Sequence, residues 1–236
     1  MPDSCDIGIP LFPGVTQLDF AGPWEVLTRI PGANCRLIAA DLQPVRSASG
    51  LAVLPTASFA ECPQLDVVCV PGGPGHLGAM EDERLIRFLR AQAPGCRFVT
   101  AVCTGGLVLA AAGLLRGYRA TTHWLSLDRL AAFGAIPVAE RVVVDRNRIT
   151  GAGVTAGMDF GLALAAELFG APVAQRIQLA IEYDPAPPFD SGSPRTAPAD
   201  VRAAVARASE RALAERRVLV ERAALRIPGL PPSHRE

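Results

Sequence analysis

Residues 97–106 read Arg97-Phe98-Val99-Thr100-Ala101-Val102-Cys103-Thr104-Gly105-Gly106, and residues 107–113 continue Leu-Val-Leu-Ala-Ala-Ala-Gly. A β-branched, apolar run ends at a cysteine, and two glycines open an alanine-rich segment of helical composition. This pattern places Cys103 at the turn between a buried strand and a buried helix. The amides and the positive dipole end of such a helix favour thiolate over thiol, as a nucleophile requires. Gly105 and Gly106 leave room for a substrate to approach the backbone. A second reading stands beside this one: free cysteine packs as a small hydrophobe, so Cys103 also fits as one more core thiol.

The strand and helix alternation extends on both sides. Residues 7–12 read as a strand, residues 18–30 as a helix with Asp19 near its start, residues 35–40 as a second strand and residues 51–54 as a short extended piece. Asp66-Val-Val-Cys-Val70 is a continuous apolar run of the kind buried on both faces of a parallel sheet. Pro71-Gly72-Gly73-Pro74-Gly75 forms a glycine-rich loop at the C-terminal end of that run, and residues 82–92 predict a helix leading into the Cys103 strand. Residues 141–150 predict a hairpin turning at residues 145–147, followed by helices over 155–169 and 171–182. The prolines of residues 184–194 remove donors and fix φ, which predicts a long surface loop. Residues 199–226 predict a charged, alanine-rich helix on the outside of the domain or across a subunit interface, and residues 228–236 a frayed tail.

This order predicts an α/β fold with a mostly parallel central sheet, whose active sites lie at the carboxyl ends of strands. Three distant loops qualify: the one near Asp19, the one over residues 71–78 and the Cys103 turn. The expected organisation is a single domain, with residues 1–195 as its body and residues 196–236 as a helix and tail packed on it.

Half of the 236 residues are hydrophobic and only 19% are charged, a globular composition. Lys+Arg and Asp+Glu both number 23, which gives no net field to attract nucleic acid or an acidic membrane surface. Six cysteines show no CxxC pair and no compact framework, so reduced thiols are expected. The longest apolar stretch, residues 107–115, is well short of a membrane span, and Met-Pro-Asp-Ser-Cys-Asp carries no basic, apolar leader pattern. A cytoplasmic protein is the expectation.

Several stretches together resemble the DJ-1/PfpI superfamily. They are residues 7–23 with Leu18-Asp19-Phe20-Ala21-Gly22-Pro23, Val70-Pro71-Gly72-Gly73, Val102-Cys103-Thr104-Gly105, Ala120-Thr121-Thr122-His123-Trp124 and residues 153–160. The resemblance implies a flavodoxin-like, doubly wound sandwich with a cysteine on a strand-to-helix elbow. Within the superfamily, Asp19 in place of a glutamate and the run Glu182-Tyr-Asp-Pro-Ala-Pro-Pro-Phe-Asp-Ser-Gly-Ser-Pro194 are similar to the isonitrile hydratases. Many protease-like members carry histidine directly after the cysteine, where this chain has Thr104.

The implied chemistry is cofactor-independent hydration of a small isonitrile to an N-substituted formamide. Cys103 would be the nucleophile, Asp19 would act as acid and then base through a raised pKa, and a thioimidate would form between the two steps. Backbone N–H groups of Gly73 and Thr104 are candidates to stabilise charge on the intermediate. The Thr104 hydroxyl is a candidate to hold water or thiolate, with helix N-capping as its structural alternative. Gly72, Trp124 and Val154 are candidate pocket residues, although core packing also explains the latter two, as it does Phe160.

His123 reads as a structural or supporting residue, and His76 and His234 complete no ligand spacing, so no metal is expected. Asp159 and Glu182 read as helix or loop anchors. The glycine-rich loop lacks the Gly-Lys-Ser/Thr ending of a phosphate-binding motif. The roughly 40 residues after Pro194 hold one evident helix, which argues against the helix-turn-helix of related regulators and against DNA binding. A homodimer is implied by the resemblance alone. Two other classes stay open: a DJ-1-like glyoxalase or stress-response protein with a redox-sensitive cysteine, and a non-enzymatic partner-binding protein.

Overall fold

The structure, a computed structural model, describes residues 4–227; the expected frayed tail and His234 lie outside the described residues. Strand β1 (Cys5–Pro10) leads to helix α1 (Gln17–Leu27), then β2 (Ala33–Ala39), β3 (Val45–Arg46), β4 (Ala52–Val53), β5 (Ala57–Ser58) and β6 (Val67–Val70). Next come α2 (His76–Ala79), α3 (Glu83–Gln92), β7 (Phe98–Val102), α4 (Gly105–Ala111), β8 (Arg119–Ala120) and a 3₁₀ segment (Trp124–Phe133). The chain ends through β9 (Ile136–Pro137), β10 (Val142–Asp145), β11 (Arg148–Gly151), α5 (Ala156–Phe169), α6 (Ala171–Ala180) and α7 (Ala199–Ala224).

The main sheet has seven strands in the order β10-β11-β7-β6-β1-β2-β5. All neighbours are parallel except β10 and β11, which form the expected hairpin around residues 145–148. The apolar runs explain the parallel centre. All four residues of β6 are buried, as are four of the five in β7, because helices cover both faces. Helices α1, α5 and α6 pack on one face, and α4, the 3₁₀ segment and α7 on the other. The extended piece at residues 51–54 does not enter this sheet; it pairs with β3 in a two-stranded hairpin, since polar residues 46–50 supply a turn between two short β-prone runs.

One topological feature places the site. The chain passes from β1 to β2, then crosses back to β6 on the other side of β1, so the winding direction reverses between β1 and β6. Open α/β sheets form their crevice at such a point, outside the carboxyl ends of the strands. Asp19 follows β1, Gly72 and Gly73 follow β6, and Cys103 follows β7, the next strand along.

Candidate active site

Cys103 takes φ of 54°, in the left-handed region that a non-glycine residue occupies at a cost of about 1–3 kcal/mol. Two hydrogen bonds clamp it there. Its N–H donates to the Gly151 carbonyl at 3.0 Å, and its carbonyl accepts from the Thr122 hydroxyl at 2.7 Å. Immediately beyond, a Cβ on Gly105 would meet the Val70 and Pro71 carbonyls, so only glycine lets α4 start this close to the end of β6. The elbow is a consequence of these close approaches.

The three loops are bonded to one another at this point. Thr16 N–H donates to the Gly72 carbonyl at 2.9 Å, and Gly72 N–H donates to Asp19 Oδ2 at 3.0 Å. Gly73 N–H donates to Thr104 Oγ1 at 2.9 Å. Gly73 has φ of 125°, and a Cβ there would collide with the Val15 carbonyl carbon at 2.8 Å. Asp19, Gly72, Gly73, Cys103 and Thr104, expected together from the sequence, are therefore brought together.

Thr104 and Gly73 are bonded to each other. Thr104 occupies the N-cap position of α4 without a side-chain cap, because its hydroxyl is engaged by Gly73. The Gly73 amide is correspondingly committed to that hydroxyl, while the Thr104 N–H bonds the Cys103 sulfur. The Thr104 amide thus acts on the sulfur directly, and the Gly73 amide holds the Thr104 hydroxyl beside it.

Asp19 is fully buried, its carboxyl interacts with the Cys103 side chain, and its Oδ1 has no hydrogen-bond partner. Burial lifts this carboxyl to about 7, against the pull of Cys103 and the Gly72 amide toward the ionised form. Burial also pushes the Cys103 thiol far up, and the charge on Asp19 pushes it further, while the Thr104 amide and hydroxyl favour the thiolate. The amide at the start of α4 favours the thiolate, as the sequence reading expects, but burial and Asp19 oppose it. Two acids in one low-dielectric space cannot both ionise readily, so the pair releases one proton well before the second. The buried Asp19 carboxyl, with one oxygen unbonded, is the natural place for the retained proton.

Among the described residues, no histidine takes the place of Asp19. His123 Nδ1 accepts from Leu125 N–H at 3.3 Å, which caps the 3₁₀ segment. Both ring nitrogens of His76 are engaged elsewhere, one with the Gly73 carbonyl and one with Arg216. Among the described residues, no three His, Cys, Asp or Glu side chains cluster to hold a metal ion. The remaining buried cysteines, Cys5, Cys69 and Cys96, are free thiols pushed up to about 11, 12 and 11 by burial and serve as packing.

The DJ-1/PfpI family model matches residues 6–167, from β1 through the elbow into α5. The chain belongs to the DJ-1/PfpI family. Isonitrile hydratase of Pseudomonas putida is 53% identical over 221 residues, which cover 94% of this chain and 97% of that one. The HTH-type transcriptional regulator GbdR of Pseudomonas aeruginosa is 36% identical over 75% of this chain but only 50% of its own length. Among solved structures, a ThiJ/PfpI family protein from Pseudomonas syringae superposes with a TM-score of 0.90 at 46% identity, covering 92% of this chain and 90% of that one. Among the described residues, no helix is long and apolar enough to cross a membrane.

Around this DJ-1/PfpI elbow, Trp124 and Val154 line one cavity of about 450 Å³, together with Thr122, whose hydroxyl holds the Cys103 carbonyl. Gly72 does not line it; a Cβ there would meet the Thr104 amide and, at 2.8 Å, Asp19 Oδ2, so this glycine keeps the acid and the elbow in contact. Phe160 is fully buried in the core. The proline-rich loop forms the cavity's far wall through residues 192–195, and the Arg195 guanidinium bonds the Ala139 carbonyl at 2.7 Å. Asp159 anchors the start of that loop by pairing with Arg141 at 2.7 Å and accepting from the Tyr183 hydroxyl at 3.1 Å.

Sequence reasoning missed His76, Ser126 and Arg216 as neighbours of the site. Arg216 did leave a signal. It falls on the face of α7 that carries Leu213, Val220 and Ala223, where a cation interrupts an otherwise small and apolar stripe.

Proposed function

We propose that the protein is an isonitrile hydratase that uses Cys103 as nucleophile and Asp19 as its single acid and base. The observation that carries this reading is the buried Asp19 carboxyl, with one unbonded oxygen, against a thiol that no histidine among the described residues contacts. Nearly full-length similarity at 53% identity to an isonitrile hydratase supports it.

The reaction starts with one proton on the pair. Cys103 thiolate attacks the terminal isonitrile carbon, and Asp19 delivers its proton to that carbon, leaving a thioimidate and a carboxylate. Asp19 then takes a proton from water as the hydroxyl adds to the same carbon, and passes it to nitrogen. When the tetrahedral adduct collapses, the hydroxyl proton returns to Asp19, the C–S bond breaks, and N-substituted formamide leaves with the pair restored. Thr104 N–H and Oγ1 hold the sulfur as it gains and loses charge. The cavity lined by Trp124 and Val154 receives the substituent on nitrogen. A pKa near 7 suits a group that must donate and accept a proton in one cycle.

The same reading takes the chain as one functional domain, residues 196–236 included, acting as a cytoplasmic homodimer without cofactor. The covalent step is tested by acid quenching during turnover of an alkyl isonitrile, followed by mass analysis of the Cys103 peptide. An adduct of the isonitrile's mass on Cys103 is expected. Formamide production with no such adduct, in a variant lacking Cys103, would overturn the covalent route.

A further inference from the structure

We infer that His76 and Arg216 form a positioning pair that turns the Thr104 hydroxyl toward the Cys103 sulfur. The Thr104 hydroxyl accepts from Gly73 N–H at 2.9 Å, so its own proton is free to be donated. Two acceptors compete for that proton: the Gly73 carbonyl, 3.3 Å from Oγ1, and the Cys103 sulfur. The geometry settles the competition through a third residue.

His76 is buried, and its Nδ1 lies 2.7 Å from the Gly73 carbonyl oxygen. Its Nε2 lies 3.0 Å from Arg216 Nε, which has only a proton to offer, so Nε2 is the acceptor. Nδ1 must then carry the ring proton and donate it to Gly73. The His76 backbone N–H also donates to that carbonyl at 3.0 Å, so with Nδ1–H both of its lone pairs are taken, and the Thr104 hydroxyl is released to the sulfur. Arg216 is held in turn by Ser126 Oγ at 2.5 Å. It has no carboxylate partner among the described residues, and the opposite charge that acts on it is the ionised Cys103. A half-buried cation with no carboxylate partner among the described residues, two hydrogen bonds from Gly73 and three from Thr104, is not explained by anchoring α7.

The charged and titratable groups acting on the sulfur are Asp19 from α1 and Arg216 from α7; His76 from α2 and His123 and Arg129 of the 3₁₀ region act on Arg216, and Cys69 on Asp19. Burial and Arg216 hold His76 near 4, so the ring stays neutral, in its Nδ1–H form, across the working pH range. The inference deepens the proposed reaction but is tested on the thiol alone, without isonitrile. Iodoacetamide alkylation of the Cys103 peptide is followed by mass spectrometry between pH 5 and 10.

His76→Leu and Arg216→Met are expected to raise the alkylation midpoint by about one unit, which reads as about tenfold slower alkylation at pH 7. His76→Asn puts an amide N–H where the imidazole Nδ1 stands, and is expected to restore the midpoint to within a few tenths of a unit. Unchanged midpoints in folded His76→Leu and Arg216→Met proteins would overturn the inference. So would an equal shift in His76→Asn, which would make the histidine a packing element. Arg216 lies on the outer helix, so Arg216→Met keeps the test open if His76→Leu does not fold. A shifted midpoint in a protein that hydrates no isonitrile would leave this inference standing and remove only the proposed reaction.

Discussion

Asp19→Asn should gain stability over the wild type as the pH rises, even as it removes the proposed acid and base. In the fold the carboxyl titrates near 7 instead of its ordinary 3.8, because burial opposes the charge. A carboxyl whose pKa is raised by folding binds more protons in the native state than in the unfolded state between those two values, so its contribution to stability falls as pH rises through that window. At 1.36 kcal/mol per unit the full penalty above pH 7 is about 4 kcal/mol. Only about 1.7 kcal/mol of it is already present at pH 5, where the unfolded carboxyl is ionised and the native one is not. Asparagine keeps an oxygen to accept from Gly72 N–H and carries no charge, so the variant has no such slope.

The stability difference, variant minus wild type, should therefore grow by about 2.7 kcal/mol between pH 5 and pH 9. Urea unfolding at the two pH values reads this directly. With a urea m-value of about 2–3 kcal/mol/M, the gap between the two midpoints should widen by about 1 M in favour of Asp19→Asn. A gap that stays constant, or that narrows at pH 9, would refute the buried neutral carboxyl.

Thr104→Val leaves the Gly73 amide buried without an acceptor and the sulfur without its hydroxyl donor. It should cost about 1–3 kcal/mol of stability in urea unfolding and lower kcat about 10- to 100-fold. Trp124→Ala enlarges the cavity beside the elbow without touching the Asp19 and Cys103 pair, so KM for a bulky aryl isonitrile should rise several-fold while kcat changes less. A kcat loss equal to that of a Cys103 variant would remove Trp124 from the pocket.

The alternating apolar runs were enough to read the sheet and its helices, because β6 and β7 are buried on both faces and leave nothing for polar residues to do. The elbow was legible for a similar reason: Cys103 between a β-branched run and two glycines has few other places to go. The hydrogen-bond assignments were not legible. Whether the Thr104 hydroxyl caps its helix or bonds Gly73 depends on a loop 31 residues earlier in the chain. The balance between helix dipole and burial at the thiol likewise depends on how completely α1 and the glycine loop exclude water from Asp19 and Cys103. Arg216 reaches the site only because α7 folds back over the 3₁₀ segment, a long-range contact that local patterning does not encode. The cavity wall at residues 192–195 was read as surface loop for the same reason.

Turnover of a simple aryl isonitrile by wild type, Cys103→Ala and Asp19→Asn, with the formamide product detected directly, tests the central claim most plainly. Formamide from the wild type alone, with both variants folded and inactive, is the result this account predicts. Wild-type protein that is well folded yet makes no formamide from several isonitriles, or a Cys103→Ala variant that makes it at the wild-type rate, would contradict the account.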